Sequence, residues 1–321
     1  MTTNAPDLGR GRVVIITGAG RGIGRTEALS YAAHGFRVVV NDLGADVDGK
    51  GARSETAQQV VDEIRSAGGE AMADAEDVAD FDGAKRMIDA AVEHYGQLDV
   101  LVNNAGILRD RTVANMSAEE WDGVIRVHLR GTFCPLRHAA AYWRELAKSG
   151  RDIDARIINT SSGSGLYGNQ GQSNYGAAKA GIAALTIIAS QELERYGVAV
   201  NAIAPVALTR MTLDLPHWQQ RRAEVEQNPN VFNPFAPENN APLVVWLGTD
   251  AAKGITGRVF NVGGGKVEIA EPWGHGPNRD KGDRWNVDEL DDVVPNLLEQ
   301  AHPITTIKPV KRKGEAVASS S

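Results

Sequence analysis

The sequence has a single cysteine, no pair of histidines at metal-ligand spacing and no long apolar run. One thiol, Cys134, excludes an internal disulfide and fits a reducing, cytoplasmic compartment. A membrane-spanning helix needs about 20 apolar residues, and a secretory signal needs an apolar core near the N-terminus. Neither is found, and the histidine spacing argues against a protein-bound metal. These absences disfavour secreted, membrane-spanning and metal-dependent proteins.

Charge and length narrow the class further. The 321 residues carry a net charge of −7, which disfavours non-specific binding to nucleic acid or to an anionic membrane. The apolar fraction of 42% and the charged fraction of 23% are ordinary for a globular protein. This length suits one large α/β domain or two small domains. The expected partner is therefore a small-molecule substrate.

Short β-branched runs alternate with longer helical patterns from residue 12 to about residue 262. The runs are apolar on both faces, as strands buried in a parallel sheet are. Because helices separate the strands, the pattern predicts an α/β fold with a single doubly wound parallel sheet (Rossmann) and helices on both faces. The expected strands are 13–17, 37–42, 70–78, 98–104, 155–161, 198–204 and 258–264. The expected helices include 52–66, 82–95 and a long one from Ser117 towards Lys148.

Three segments are expected along the chain. Residues 1–9 form a flexible N-terminus, and residues 10–265 form a dinucleotide-binding catalytic domain. Within that domain, the Pro- and Asn-rich segment 205–242 is expected to be a substrate loop, since long irregular segments in compact domains are often functional. Its apolar side chains either form a lid for a bulky substrate or pack the loop. Residues 266–321 form a C-terminal extension, and about the last 12 residues are expected to be disordered.

A buried strand, a glycine-rich turn and a helix open the domain in VVIITGAGRGIGRTEAL. Glycines let the backbone approach a pyrophosphate, which the positive end of the following helix attracts. A glycine motif alone is weak, but the flanking strand and helix supply the context that it needs. The turn therefore predicts a dinucleotide-binding site. Its residues are Thr17, Gly18, Gly20, Arg21, Gly22, Ile23 and Gly24.

The next strand ends at Asp42, 18 residues beyond Gly24. A carboxylate there can accept hydrogen bonds from the ribose hydroxyls and repels a 2′-phosphate, which favours NAD over NADP. Arg21 is a counter-signal, because a guanidinium can hold that phosphate. Asp77 and Val78 are candidate adenine contacts, although an acidic loop residue can equally serve as a helix cap.

The segment 160–181, TSSGSGLYGNQGQSNYGAAKAG, places Tyr175 and Lys179 on one face of a helix. Such a face is either merely solvated or a proton-transfer site. An unperturbed tyrosine has a pKa of about 10, and a nearby ammonium lowers it by stabilising the phenolate. Beside a cofactor site, the pair favours the interpretation as a proton-transfer site.

These motifs, in this order, resemble the short-chain dehydrogenase/reductase family over about residues 10–265. The resemblance rests on TGAGRGIG, NNAG, YGAAK and Ser162, thirteen residues before Tyr175. It implies that Tyr175 is the general acid–base, that Lys179 holds the nicotinamide ribose and that Ser162 donates to the substrate oxygen. Ser161 and Ser164 are neighbouring alternatives, and the spacing favours Ser162.

The same resemblance implies further contacts and two departures. Cofactor contacts are expected from Asn104, Ala105, Gly106, Tyr175, Lys179, Pro205 and Thr209, with Thr212 as the alternative to Thr209. His128 stands where the family usually has an asparagine, whose main-chain carbonyl holds a water. A supporting catalytic role is therefore expected for His128. The alternative interpretation is a histidine that only packs in the core. Val206 replaces a glycine of the family.

The segments VVVNDLG, RVHLRGTF, LYGNQGQSNYGAAKAG and TRMT resemble the (3R)-hydroxyacyl-CoA dehydrogenase units of type-two peroxisomal multifunctional enzymes and their bacterial relatives. This implies NAD-dependent interconversion of a (3R)-hydroxyacyl-CoA and a 3-oxoacyl-CoA with a fatty or steroid side chain. It also implies a homodimer or homotetramer, formed through the helix from Ser117 and the helix that carries Tyr175. Three alternatives stay open: a dehydrogenase of hydroxysteroids or other free secondary alcohols, a 3-oxoacyl-carrier-protein reductase, and a non-catalytic NAD-binding protein. Asp42 argues against the reductase, and the intact Ser162 and Lys179 argue against the binding protein.

Overall fold

The computed structural model describes residues 6–44, 55–207 and 232–307. Two compact units are found, Met1–Ala270 and Glu271–Ser321. The first unit contains the whole sheet and extends past the expected boundary at residue 265, because three successive glycines end one strand and a further strand follows them. Most of the predicted substrate loop, residues 208–231, lies outside the described residues, as do the last residues of the chain.

Eight strands form one sheet in the first unit. They are β1 (Val13–Thr17), β2 (Arg37–Asn41), β3 (Ala71–Asp74), β4 (Val100–Asn103), β5 (Ala155–Thr160), β6 (Val198–Pro205), β7 (Val259–Gly263) and β8 (Lys266–Ala270). The sheet order is β3-β2-β1-β4-β5-β6-β7-β8, with all neighbours parallel except β7 and β8. The predicted doubly wound sheet is confirmed. The antiparallel edge strand β8 is an addition, formed by the alternating sequence KVEIA.

Helices cover both faces of this sheet. Among the described residues of the first unit they are α1 (Gly22–Ala33), α2 (Glu55–Ser66), α3 (Phe81–Tyr95), α4 (Ala118–Ile125), α5 (Gly131–Lys148), α6 (Gly163–Tyr167), α7 (Ser173–Leu193) and α8 (Ala241–Leu247). The second unit contains α9 (Leu290–Gln300). A capping box between Ser117 and Glu120 starts α4, as expected from the sequence. Within the described ranges, none of the helices is both long and apolar enough to span a bilayer.

The core lies on both faces of β1, whose residues alternate between two apolar clusters. Val14 and Ile16 pack with the side chain of Tyr31 from α1. Val13 and Ile15 pack in the cluster that includes α3 and α5. Because both faces of the strand are covered, its sequence is a continuous apolar run rather than an alternating one.

The parallel register brings polar strand ends to one edge of the sheet. Thr17 at the end of β1 lies opposite Asn41 of β2, and Asn103 of β4 lies opposite Asn159 of β5. The direction of the strand order reverses between β1 and β4, and ligands of open α/β sheets bind in the crevice at such a switch point. The glycine turn after β1 therefore opens at the expected binding position.

Candidate active site

The glycine turn is packed tightly against the end of β4. Gly18 has a φ of +63°, and a Cβ on it would lie 2.7 Å from the Cα of Ala105. A Cβ on Gly24 would lie 2.4 Å from Nδ2 of Asn104. That amide donates to the carbonyl of Thr17 at 3.0 Å and to that of Gly18 at 3.2 Å. A side chain at Gly18 or Gly24 would clash with these neighbours, and the left-handed backbone of Gly18 also favours glycine.

Thr17 joins the ends of β1 and β4 through its hydroxyl. Its Oγ1 accepts the N–H groups of Asn104 at 3.0 Å and of Ala105 at 3.1 Å. The predicted cofactor elements TGAGRGIG and NNAG are thus one hydrogen-bonded unit.

The start of α1 provides the geometry that binds a phosphate. Arg21 occupies the N-cap position without a capping hydrogen bond from its side chain, and the first helical turn, from Gly22, carries no acidic residue. The first N–H groups of a helix and its dipole together attract an anion. A pyrophosphate fits this position by its charge.

Asp42 lies directly beside the turn. Its carboxylate accepts the N–H of Gly20 at 2.8 Å and the N–H of Gly44 at 2.7 Å. A Cβ on Gly20 would lie 2.8 Å from the same carboxylate, so only glycine allows this approach. This carboxylate can accept hydrogen bonds from the two ribose hydroxyls in the adenosine half of a dinucleotide.

The candidate adenine contacts have structural partners of their own. Asp77 accepts the N–H of Ala79 at 2.8 Å and pairs with Arg126 at 2.6 Å. The N-cap of α3 is Asp80 rather than Asp77, so the helix-cap interpretation of Asp77 is wrong. Val78 is buried, and a Cβ on Gly131 would lie 2.9 Å from its side chain. The guanidinium of Arg21 donates to Thr56 at 3.3 Å.

Tyr175 and Lys179 lie together on α7. Nζ of Lys179 lies 5.6 Å from the ring centre of Tyr175 and donates to the carbonyl of Thr160 at 2.5 Å. The lysine is only 2% exposed. Thr160 is the last residue of β5, so this hydrogen bond places Lys179 at the polar edge of the sheet.

The pKa of the phenol differs in direction from the expectation drawn from the sequence. Burial raises the pKa of Tyr175, a hydrogen bond with Ser162 opposes the rise, and the charge of Asp110 adds to it. Burial also lowers the pKa of Lys179 to about 7. The spacing of the two residues indicates the neighbouring cation but not the cost of burying a charge, and burial has the larger effect on the pKa in the chain itself.

The three neighbouring serines have different partners. Ser161 is buried and donates to the carbonyl of Lys179 at 2.9 Å. Ser164 donates to Oε1 of Gln172 at 2.8 Å. Ser162 accepts the N–H of Ser164 at 3.2 Å, and its interaction with Tyr175 opposes the rise of the pKa of the phenol. The hydroxyls of Ser161 and Ser164 both donate to other protein groups, and Ser162 stays the candidate donor to the substrate.

His128 lies in a π-helical segment, Arg126–Arg130, between α4 and α5. It is buried, and its Nε2 lies 2.7 Å from the carbonyl oxygen and 3.1 Å from the nitrogen of Ile107. Burial, followed by the charge of Lys179, lowers the pKa of His128 to about 3, so the ring is neutral. Its edge meets the ring of Tyr175, with centroids 5.1 Å apart. The residue is thus a core histidine that also contacts the phenol.

The nicotinamide end of the predicted site is only partly described. Pro205 ends β6 and is half-buried. Val206 follows it, donates its N–H to the carbonyl of Val262 at 2.8 Å and is 48% exposed. Thr209 and Thr212 lie outside the described residues.

Sequence reasoning missed a chain of buried amides beneath the site. Asn103 donates to Oδ1 of Asn159 at 2.9 Å, and Asn159 donates to Thr186 of α7 at 2.9 Å. The signal was present in the polar residues that end β4 and β5. These bonds connect two strands to the helix of Tyr175. Among the described residues, no group of three histidine, cysteine or acidic side chains is placed to hold a metal ion.

Known proteins resemble the chain over most of its length. It matches the short chain dehydrogenase family over residues 12–220. It is 46% identical over 277 residues to hydroxyacyl-CoA dehydrogenase ChsB1 of Mycobacterium tuberculosis, a match that covers 84% of this chain and 83% of that protein. It is 42% identical to peroxisomal multifunctional enzyme type 2 of Mus musculus, over 80% of this chain and 32% of that larger protein. A crystal structure of a short chain dehydrogenase from Mycobacterium avium, 54% identical, matches with a TM-score of 0.83 and covers 96% of this chain and all of that one.

The fold and these matches define a dehydrogenase that uses a nicotinamide dinucleotide, NAD or NADP. The chain belongs to the short-chain dehydrogenase/reductase family. The resemblance drawn from the sequence motifs is confirmed, both for the family and for the similarity to hydroxyacyl-CoA dehydrogenases. The protein is an oxidoreductase.

Proposed function

We propose that the protein is an NAD-dependent dehydrogenase that interconverts a (3R)-hydroxyacyl-CoA and a 3-oxoacyl-CoA with a fatty or steroid side chain. The observation that carries this proposal is the half-buried Tyr175 on α7, whose ring centre lies 5.6 Å from Nζ of Lys179 at the sheet edge that holds the glycine turn. The similarity to a hydroxyacyl-CoA dehydrogenase supports the choice of substrate class.

In this mechanism Tyr175 removes the proton of the substrate alcohol and returns it in the reverse reaction. Ser162 donates its hydroxyl to the substrate oxygen, while its own oxygen accepts the N–H of Ser164. Because the pKa of Lys179 is about 7, the amine can be charged near neutral pH and then stabilises the phenolate. NAD, when bound, supplies the hydride acceptor.

The chain has residues to hold the dinucleotide at each part of the crevice. The turn from Gly18 to Gly24 would hold the pyrophosphate and Asp42 the adenosine ribose. Ala105 and Gly106 would line the cofactor, and Lys179 would hold the nicotinamide ribose. Asp77, Val78 and Pro205 stay candidate contacts, and so does Thr209.

Asp42→Ala is expected to weaken NAD binding and to relax selectivity towards NADP. The ratio of kcat/KM with NAD to that with NADP should fall by about 30-fold or more, because a hydrogen bond to a charged group contributes about 2 kcal/mol and the repulsion of the 2′-phosphate is lost. Steady-state kinetics with both cofactors measure the ratio. Asp42→Asn is the matched control, since it removes the charge but retains an acceptor for Gly20. An unchanged ratio in both variants would refute the ribose assignment.

His128→Ala is expected to reduce kcat modestly, by about tenfold, because a neutral ring packed on Tyr175 orients the phenol without exchanging a proton. Asn at this position, His128→Asn, should retain more activity because it keeps a polar group near Ile107. Steady-state kinetics of both variants test this role. A loss in His128→Ala as large as that in a Tyr175 variant would contradict it.

The substrate class is tested with purified protein, NAD or NADP, and the absorbance of the reduced cofactor. Oxidation of 3-hydroxyacyl-CoA thioesters is expected. Turnover of hydroxysteroids but not of thioesters would favour a free-alcohol dehydrogenase, and reduction of 3-oxoacyl-carrier protein with NADPH alone would favour the biosynthetic reductase. Tight cofactor binding without turnover of any secondary alcohol would favour a binding protein.

Exposed apolar side chains and the buried cysteine bear on assembly and location. Phe133 of α5 is 42% exposed and Ile188 of α7 is 52% exposed. Exposed apolar side chains on these two helices support a homodimer or homotetramer formed through them. The buried thiol of Cys134 is compatible with a cytoplasmic location.

A further inference from the structure

We infer that Ser161 is a positioning residue for Lys179: its buried hydroxyl holds the main-chain carbonyl of the lysine and thereby fixes the place of the side-chain nitrogen at the sheet edge. The inference rests on the proposed function, in which Lys179 holds the nicotinamide ribose. In this role Ser161 does not touch the cofactor and acts through the lysine alone.

Lys179 is held at both ends by two successive residues of the chain. Its Nζ donates to the main-chain carbonyl of Thr160, the last residue of β5, at 2.5 Å. Its own main-chain carbonyl accepts the hydroxyl of Ser161 at 2.9 Å. A free lysine side chain rotates about several bonds, and fixing both of its ends removes most of that freedom. The pair of hydrogen bonds therefore determines where Nζ lies.

The end of β5 is a rigid support for these contacts. Ser161 has no exposed surface, and its main-chain N–H donates to the carbonyl of Ile203 in β6 at 2.7 Å. Asn159, which strand alternation places on the same side as Ser161, donates to Thr186 of α7 at 2.9 Å. Thr186 lies about two helical turns beyond Lys179. The strand end thus holds α7 at two separate places, and the bond of Ser161 is the one at the main chain of the lysine.

The short helix α6 contacts the same lysine from a different element. A Cβ on Gly165 would lie 2.7 Å from Cβ of Lys179 and 2.5 Å from the nitrogen of Ala180, so the absence of a side chain allows this approach. Such van der Waals packing has no preferred direction. A hydrogen bond does have one, and the bond of Ser161 therefore orients the peptide group of Lys179.

The hydroxyl of Ser161 is not available to the substrate. A serine hydroxyl has one hydrogen to donate, and that of Ser161 is donated to Lys179. Ser161 is also fully buried, whereas Ser162 is partly exposed. An effect of Ser161 on cofactor binding therefore passes either through Lys179 or through a general loosening of the fold.

Ser161→Ala separates these two routes by the affinities of NADH and ADP. NADH contains the nicotinamide ribose, whereas ADP ends at the pyrophosphate and reports on the glycine turn and Asp42. The Kd of NADH, from fluorescence titration, is expected to rise about tenfold, and the Kd of ADP, from calorimetry, should stay within about twofold of the wild type. Ser161→Cys, which retains a weak donor, should lie between the wild type and Ser161→Ala.

Ser190→Ala is the matched control. Ser190 lies on the same helix α7, is 4% exposed and donates its hydroxyl to the carbonyl of Ile187 at 2.8 Å. The substitution removes the same kind of bond about three turns from Lys179, so both affinities should stay within about twofold of the wild type. A loss of NADH affinity as large as that in Ser161→Ala would show loosening of α7 and would contradict a positioning role.

A double-mutant cycle tests whether the effect passes through the lysine. Lys179→Met should itself weaken NADH binding. Adding Ser161→Ala to it should change the Kd of NADH less than about twofold, because the group that the serine positions is gone. A further loss of about tenfold in that background, an unchanged NADH affinity in Ser161→Ala alone, or equal losses for NADH and ADP would each overturn the inference.

Failure of the proposed function gives a different result. The affinity measurements need no substrate, so a wild type that binds NADH but oxidises no thioester would overturn the substrate class and leave the role of Ser161 standing. A Lys179→Met variant with the NADH affinity of the wild type would overturn the role of the lysine, and this inference with it.

Discussion

Tyr175→Phe is expected to lower kcat by about three orders of magnitude, within the range that general acid–base catalysis contributes. The substitution removes the phenolic hydroxyl but keeps the ring that packs against His128 and below Nζ of Lys179. Cofactor binding should therefore stay within about twofold of the wild type. Steady-state kinetics give the loss, and fluorescence titration with the reduced cofactor gives the affinity.

Two outcomes would contradict this role of Tyr175. Loss of cofactor binding would mean that the phenol is structural. Retention of most of the activity would mean that another group carries the proton. Ser162→Ala is a useful companion, because it leaves the phenol in place and removes only the neighbouring hydroxyl that opposes the rise of the pKa of Tyr175.

Glu27→Met is expected to stabilise the fold, and increasingly so as the pH rises. Glu27 lies on α1 with no exposed surface, and within the described part of the chain neither of its carboxylate oxygens has a hydrogen-bond partner. Burial raises its pKa from 4.5 to about 8. A methionine of similar length removes the cost of burying a polar group without hydrogen bonds, about 1–3 kcal/mol.

The pH dependence follows from the raised pKa. Below about pH 4.5 the carboxyl is protonated in both the folded and unfolded chain, and it adds no pH dependence. Between about pH 4.5 and 8 the unfolded chain alone releases the proton, so the wild type loses about 1.4 kcal/mol of unfolding free energy per pH unit, about 5 kcal/mol over the whole window. Above about pH 8 both states are ionised and the loss stops.

Urea unfolding at pH 5, 6.5 and 8 and one protein concentration measures this difference. The stability of Glu27→Met relative to the wild type should grow with pH, and other titrating groups such as Lys179 cancel in the comparison. Glu27→Gln, which is polar but does not ionise, should show the same growth from a smaller starting advantage. A difference that is constant across the three pH values would show that Glu27 ionises alike in both states.

The sheet could be predicted from the sequence because buried parallel strands have a distinctive pattern. Each of the seven predicted apolar runs contains a strand. The eighth strand, Lys266–Ala270, was missed because its side chains alternate and are mostly exposed, and because the glycines before it suggested the end of the domain. An edge strand that is polar on one side resembles a loop in composition.

The common helix face of the candidate pair could be predicted from the sequence, but its electrostatics could not. Tyr175 and Lys179 lie together on α7 as their spacing predicted, and the catalytic roles of these residues and of Ser162 stay predictions. Burial, which sequence spacing does not report, reverses the expected direction of the phenol's pKa. Glu27 looks like an ordinary polar helix residue in the sequence, since its lack of partners depends on how α1 packs. Interactions between distant segments are visible only in three dimensions.

The widened turn at Arg126–Arg130 has a consequence for the helix that follows it. One additional residue rotates all later side chains by about 100° around the helix axis relative to an unbroken α-helix. Trp143 reaches the carbonyl of Leu98, at 2.7 Å, with that offset included. The additional residue in this turn therefore sets the positions of both His128 and Trp143. Deleting one residue from the turn would displace both side chains.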